Sequence, residues 1–402
     1  MTDALARQSV DTPAIEGMSH GALFVKFLRF GLLAFGGPVA QIAMLRQSLV
    51  EEERWIDKAR FNRLLAVLQV LPGPEAHELC VHMGMIARGR LGGLLAGLGF
   101  MLPGFLLMVA AGWAYVTWIA GSSGWSGILL GVQIAVLAVI LRSVVRIGQH
   151  IVVDRLLGLV AAASLAATLL GVPFWIPLVA GGLVYAFSQR PALAILVVMC
   201  AVGLSWLGTF VTIAGAPTLV APAKASAAAL FLTGLKGGLL TFGGAYTAIP
   251  YVRADTVSRG WISDATFLDG IAIAGILPAP LVIFATFVGY IAGGLPGALA
   301  ITAGMFLPAF AFSLVLFERL EAMIEHPALH RVLEGVAAAV VGVIAATFIH
   351  LAQATAENLS APFVAAAMFA VALLATWRLK GAWVTPVILL CGAALGWSFF
   401  TA

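Results

Sequence analysis

FGGPVAQIAMLR at residues 35–46 returns as FGGAYTAIPYVR at 242–253, an offset of 207. The echo continues outward in the same order. WIDKARF at 55–61 is matched by WISDATF at 261–267, LPGP at 71–74 by LPAP at 277–280, and FMLPGF at 100–105 by MFLPAF at 305–310. Ordered matches whose offset drifts so little mark a duplicated chain.

Composition says what the copies are made of. Of 402 residues 62% are apolar and 10% charged, against roughly 25% charged in a soluble domain. The polar coat that a soluble enzyme, a disordered chain or a nucleic-acid binder needs is missing. Residues 1–63 hold 8 Lys/Arg and 7 Asp/Glu, which leaves the later sequence nearly free of charge over long stretches. Apolar runs with Gly and Pro inside them read as membrane helices, because barrel strands would alternate over about ten residues. The fold class is therefore all-α, a polytopic transmembrane helical bundle.

Candidate segments in the first half are 20–45, 64–88, 91–119, 124–145, 153–171 and 173–188; in the second, 226–252, 265–292, 296–317, 329–350, 361–377 and 381–400. One unmatched segment, 191–213, joins them. The domains expected are a cytoplasmic tail over 1–19, a first repeat over 20–190, a linking segment and loop over 191–224, and a second repeat over 225–402. A single linking segment after an even-numbered half flips the second copy, so the repeats are expected to have inverted topology.

Loop charge agrees with this. With the N-terminus inside, the cytoplasmic loops hold Arg88/Arg90, Arg142/Arg146/Arg155, Arg190, Arg253/Arg259, Arg319/Arg331 and Arg378/Lys380, while the opposite loops near 120, 172, 294 and 355 have no Lys or Arg. The same bias accounts for the net charge of +4. Residues 46–63 disagree, falling outside with Arg46, Arg54, Lys58, Arg60 and Arg63. The conflict goes if 20–45 and 64–88 are re-entrant, at the cost of moving Arg253 and Arg259 outside; between 9 and 13 spans are then compatible with the sequence. EEERWIDKARFNR at 51–63 reads as an interfacial amphipathic helix anchored by Trp55 and Phe61. Residues 1–18 lack the apolar core of a signal peptide. Cys80, Cys200 and Cys391 are scattered in apolar sequence and suggest neither disulfides nor a metal cluster.

Gly36-Gly37-Pro38 and Gly243-Gly244 interrupt apolar segments, where paired Gly and an amide-free Pro weaken the helical ladder. Non-helical backbone at membrane depth is tolerated where it is buried or lines a wet cavity. The half-helix after such a break offers free N–H groups to an anion; close helix packing is the competing explanation. Pro72-Gly73-Pro74 and Pro278-Ala279-Pro280 form a second pair of breaks. Basic residues align at Arg29 with Lys236, seven residues before the glycines, and at Arg46 with Arg253, ten residues beyond the first glycine, about 10 and 15 Å along a helix. Either pair could offset a bound anion or snorkel to headgroups. The acids in the apolar zone are Glu75, Glu78 and Asp269, candidates for proton coupling because a carboxyl at this depth is costly. His77 and His82 belong to HELCVH, one residue too long for a zinc helix, so no metal is expected.

These motifs resemble the chromate ion transporter (CHR) family in its long two-domain form: FGGPVAQIAMLRQSLVEEERWI at 35–56 followed by LPGPEAHEL at 71–79, and FGGAY at 242–246. The resemblance implies export of chromate, a sulfate-like dianion, from the bacterial cytoplasm, conferring resistance, and points to Gly36, Gly37, Pro38, Pro72, Gly73, Pro74 and Glu75. Two departures stand out, Pro-Ala-Pro in the second copy and Gly275 where an acid is expected. The expectation is a secondary active transporter of the inner membrane, with an N-terminus inside, no cofactor, no enzymatic or nucleic-acid role, lipid as surroundings and a homodimer as the assembly to test. Uptake or exchange of sulfate or a small organic anion, and a non-transporting membrane protein, are the alternatives.

Overall fold

The structure, a computed structural model, describes residues 18–35, 37–68, 73–120, 123–214, 225–241, 245–316, 327–357, 359–379, 381 and 383–400. In the first copy the helices are α1 (His20–Leu32), α2 (Gly37–Arg46), α3 (Lys58–Leu68), α4 (Glu75–Ala114), α5 (Ser126–Ile151), α6 (Arg155–Leu169) and α7 (Trp175–Ala186). Linking helix α8 (Pro191–Ala214) leads to α9 (Ala227–Leu239), α10 (Ile249–Thr256), α11 (Asp264–Ile276), α12 (Phe284–Ala311), α13 (Pro327–Ala356), α14 (Pro362–Arg378) and α15 (Val384–Phe400). No strand occurs among the described residues.

The two copies fold by the same local rules. Ser19 caps α1 by accepting the Ala22 N–H at 3.1 Å, and Ser226 caps α9 by accepting that of Ala229 at 3.2 Å. Asp57 and Ser263 do the same for α3 and α11, accepting from Arg60 and Thr266. Inside α4 the backbone leaves the helix at Arg88 (φ −147°, ψ 30°) and Gly89 (φ 62°, ψ −160°); inside α12 it does so at Gly293 (φ −148°, ψ 18°) and Gly294 (φ 62°, ψ −157°). A positive φ suits glycine. Each bend folds its helix into a hairpin, with Gly84 facing Gly92 across the first and Gly289 facing Gly297 across the second.

Among the described residues, hairpin formation divides two of the four stretches that are long and apolar enough to cross a membrane, Glu75–Ile119 and Leu281–Val315; Ser126–Ile151 and Arg331–Ala356 are the others. The limb 75–87 is about 20 Å long, half a crossing, whereas 90–119 reaches about 45 Å. In α1 the chain stops at Leu32, and the following helix brings Glu53 and Trp55 back beside Lys26 and Phe27. Lys26 pairs with Glu53, and the Trp55 and Phe27 ring centroids are 6.2 Å apart. Re-entry on the side that α1 enters therefore accounts for the basic residues of 46–63. Trp55 and Phe61 are each 1% exposed. They are core residues of the first copy, not lipid anchors, because the stretch 53–57 bends and tucks both rings under α1 instead of lying flat as a helix.

Relative direction follows from which glycines touch what. Gly93 meets Leu314 and Gly97 meets Phe310, so the limb 90–114 runs antiparallel to 295–311, its own counterpart. That is the relation inverted copies require. The last helices are exchanged: α15 packs on α5, with Gly131 against Gly392 and Gly396, while α6 and α7 pack on α13, with Gly342 against Ala161 and Gly181 against Ala339. Small residues let these backbones approach closely. Exposed Trp113, Trp118, Trp125, Trp175, Trp377 and Trp383 lie toward helix ends, as in an interfacial aromatic belt.

One expected loop is displaced. The sequence puts Arg142 and Arg146 in a cytoplasmic loop, but α5 continues to Ile151 and carries both inside it.

Candidate functional site

Each copy's first break meets the other copy's Pro-x-Pro. Gly73, buried and at φ 151°, donates its N–H to the carbonyl of Thr241 at 2.8 Å, two residues before the second glycine pair. On the mirrored side Gln41 of α2, 1% exposed, donates from Nε2 to the carbonyls of Ala34 (2.9 Å) and Ala279 (3.0 Å). Ala34 and Ala279 are the repeat counterparts of Thr241 and Gly73. Packing repeats too: a Cβ on Gly73 would meet the Ala309 Cβ at 3.3 Å, and one on Gly104, the counterpart of Ala309, would meet Ala279. Unsatisfied groups released by a break are costly in lipid, and here they are met by the opposite copy.

Of the predicted break residues, Gly36, Pro72, Gly243 and Gly244 lie outside the described residues. Gly37 opens α2 at φ 78°, and no atom lies within 4 Å of a Cβ placed on it. Pro38 follows in the first turn, where an amide hydrogen is not missed. Pro74 caps α4, and its carbonyl accepts from His77 (2.8 Å) and Glu78 (3.0 Å). Pro278 and buried Pro280 precede a short turn over Leu281–Ile283 that starts α12.

The acids are asymmetric. Glu75 and Glu78 stand in the first turn of α4, where the positive end of the helix dipole favours them. Glu78 is 0% exposed, and neither carboxyl oxygen has a hydrogen-bond partner among the described residues. Their counterparts are Leu281 and Phe284, the latter stacked edge-on to Phe267 at 5.6 Å, so carboxyl chemistry at this break belongs to the first copy. His77 lies between the rings of Phe306 and Phe310, each 4.8 Å away. Asp269 has separate company: the Tyr115 hydroxyl donates to it at 2.8 Å and Gln133 Nε2 at 2.9 Å, tying α11 to the end of α4 and to α5.

The predicted cations are mostly occupied. Lys236 is 2.7 Å from Asp255 and sits over the Phe174 ring at 4.4 Å. Arg253 grips Asp264 with Nε at 2.6 Å and a second nitrogen at 2.9 Å. Arg46 reaches Glu51 at 3.4 Å with both side chains near the surface. Arg29 is exposed in the last turn of α1, so the structure gives it a different setting from Lys236.

Arg142 and Arg146 were missed as site residues. They lie one turn apart on α5, and the ion pairs of the described residues, Lys26–Glu53, Arg46–Glu51, Lys236–Asp255 and Arg253–Asp264, include neither. Arg142 Nε is buried and has no hydrogen-bond partner among the described residues. Tyr246, just beyond the second glycine pair, lines a small cleft with Val139 and Ile140, three and two residues before Arg142. The arginines' i, i+4 spacing inside an apolar run was the available signal.

Comparison with known proteins decides the family. A family model described as chromate transporter matches residues 21–203 and again 228–397. The chain belongs to the chromate transporter family. It is 55% identical to a chromate transport protein of Pseudomonas aeruginosa, over 95% of this chain and 93% of that one. It is 32% identical to a chromate transport protein of Cupriavidus metallidurans (93% and 91% covered) and 29% to a probable chromate transport protein of Synechococcus elongatus (93% and 94%). No solved structure matches. The two matched ranges coincide with the two copies, so the paired breaks are a property of a chromate transporter built twice over and spanning the membrane many times.

Proposed function

We propose that the chain is a secondary active transporter that exports chromate across the bacterial inner membrane, with its N-terminus in the cytoplasm and its copies inverted. The observation carrying this reading is the pairing of each copy's glycine break with the other's Pro-x-Pro, through Gly73 and Thr241 on one side and Gln41 on the other. Broken helices at the interface of inverted repeats suit a midplane site with alternating access.

The chemistry follows from what the breaks expose. The first-turn amides of α2, beginning at Gly37, which has nothing within 4 Å of an added Cβ among the described residues, are offered to an oxyanion, and Gly36, Pro38, Gly243 and Gly244 belong to the proposed site. The end of α4 beyond Pro72, Gly73 and Pro74 already carries Glu75 and Glu78, so it accepts a second anion only when these carboxyls are neutralised. Proton uptake there would link the proton gradient to substrate; Asp269, held by two donors, contributes less. Pro278 and Pro280 supply the equivalent break without an acid. Arg29 and Arg46 offer charge along the entry, and Lys236 and Arg253 do so once released from Asp255 and Asp264. An inside-negative potential favours exit of a dianion by about 2.3 kcal/mol per charge per 100 mV.

The test is chromate flux into proteoliposomes holding the purified chain, with sulfate as competitor. Potential-driven flux that sulfate leaves largely intact supports selective export. Equal inhibition by equimolar sulfate marks a general oxyanion exchanger, and no flux under any gradient overturns the transport reading.

A further inference from the structure

Four of the basic residues discussed above, Lys26, Arg46, Lys236 and Arg253, each have an acid of the chain within 4 Å. Among the described residues no acid lies within 4 Å of Arg142 or Arg146, both of which lie inside α5, and Arg142 Nε is buried with no hydrogen-bond partner. Two like charges four residues apart on a helix repel each other; Arg142 is half-buried and Arg146 exposed. A doubly negative ligand set across the pair would offset that repulsion. Guanidinium groups suit that task, since their planar donors bind oxyanions two oxygens at a time.

The pair stands where the copies meet. Tyr246, the second residue after the FGG of the second copy, lines the same cleft as Val139 and Ile140 on α5. Ser143, between the two arginines, directs its hydroxyl to the Val139 carbonyl at 2.9 Å. The counterparts of the arginines are Thr347, bonded to the Val343 carbonyl at 2.9 Å, and fully buried Leu351. Two-fold repetition therefore stops at this point: the second copy supplies the facing break but no cations.

We infer that Arg142, Arg146 and the Tyr246 hydroxyl form the charge-bearing face of a single oxyanion site, one dianion per chain, and that this face discriminates dianions from monoanions. The inference rests on the transport reading above and names the ligands within it.

The experiment uses the purified full-length chain in detergent and reads the rise in Tm with chromate, and separately with chloride at equal ionic strength. A ligand that binds only the native state raises Tm with concentration. Wild type should respond to chromate and not to chloride. Arg142→Gln and Arg146→Gln should each raise the half-saturating chromate concentration about tenfold or more, the loss of a charged hydrogen-bonding partner. Without chromate their Tm should equal or exceed that of wild type, because the mutual repulsion is gone. Arg155→Gln, which removes a charge at the start of α6, should respond as wild type. Folded Gln variants that keep the wild-type half-saturation overturn the inference. If a Gln variant does not fold, Arg142→Lys and Arg146→Lys carry the test: weaker chromate response supports it, an unchanged one overturns it. Saturable chromate binding by a chain that shows no liposome flux would sink the transport reading and leave this site standing.

Discussion

The amide of Gly73 donates to the carbonyl of Thr241 at 2.8 Å, joining the Pro-Gly-Pro of the first copy to a residue two positions before the glycine pair of the second. A side chain cannot be added at Gly73 cheaply. Its φ is 151°, and a Cβ would meet the Glu78 carboxylate at 2.6 Å and Ala309 at 3.3 Å. Gly73→Ala should therefore lose most chromate flux at wild-type membrane abundance, read as initial rates in proteoliposomes normalised to protein.

Gly37 makes the contrast. Its φ of 78° also disfavours a side chain, but nothing lies within 4 Å of the added Cβ. Gly37→Ala should cost about 1–2 kcal/mol from backbone strain and keep measurable flux. Gly37→Leu, which fills the open space, should block flux while the protein still folds. Thermal melts beside flux rates separate the two effects.

Lys26 and Glu53 hold the re-entrant turn of the first copy, and Glu53 also accepts from Trp55 Nε1 at 2.9 Å. Both charges are partly buried, so removing one leaves the other poorly solvated. Lys26→Met and Glu53→Gln should each lower Tm, and the double variant should lose less than their sum, with a coupling of about 1 kcal/mol. A double-mutant cycle by thermal unfolding measures it.

Gly131 lets α5 and α15 touch, since a Cβ there would fall 2.6 Å from the Gly396 Cα. Gly131→Leu should destabilise by several times the 1–3 kcal/mol usual for overpacking, because backbone and not a movable side chain is in the way. A melt unchanged by this substitution would contradict the exchange of final helices between copies.

Asp154, in the loop before α6, accepts from the Leu157 N–H and the Tyr185 hydroxyl, both at 2.8 Å. These bonds, the backbone one first, hold its carboxyl below the usual carboxylate range. A depressed native pKa gives stability that is complete above the unfolded value, about 3.9, and is lost as pH falls through the native one. Asp154→Ala should cost about 1 kcal/mol at neutral pH as a lost helix cap, and the gap from wild type should close below about pH 4. Melts from pH 7 to 3 follow it.

Much of this was legible because the repeat is local. Ser19 with Ser226, and Gly89 with Gly294, occupy matching places in the sequence and adopt matching geometry. Pro278 and Pro280 lie between the end of α11 and the start of α12, where the helical ladder loses two amide hydrogens. Less legible was whatever depends on distant partners. Arg142 and Arg146 resemble a helix boundary in the sequence because they are two charges in an apolar run, whereas α5 continues past both, with Arg142 half-buried and Arg146 exposed. The charged run 51–63 reads as an interfacial helix because nothing in it announces that Lys26 waits for Glu53. The exchange of α6, α7, α14 and α15 between copies has no sequence mark beyond small residues such as Gly342 and Gly392.

Anomalous scattering from chromium in crystals of the full chain grown with chromate tests the central claim most directly. The account predicts one strong peak per chain between the copies, within reach of α5 and of the residues around Gly37, Gly73 and Tyr246. Peaks confined to the outer surface, or a site built wholly within one copy, would contradict it.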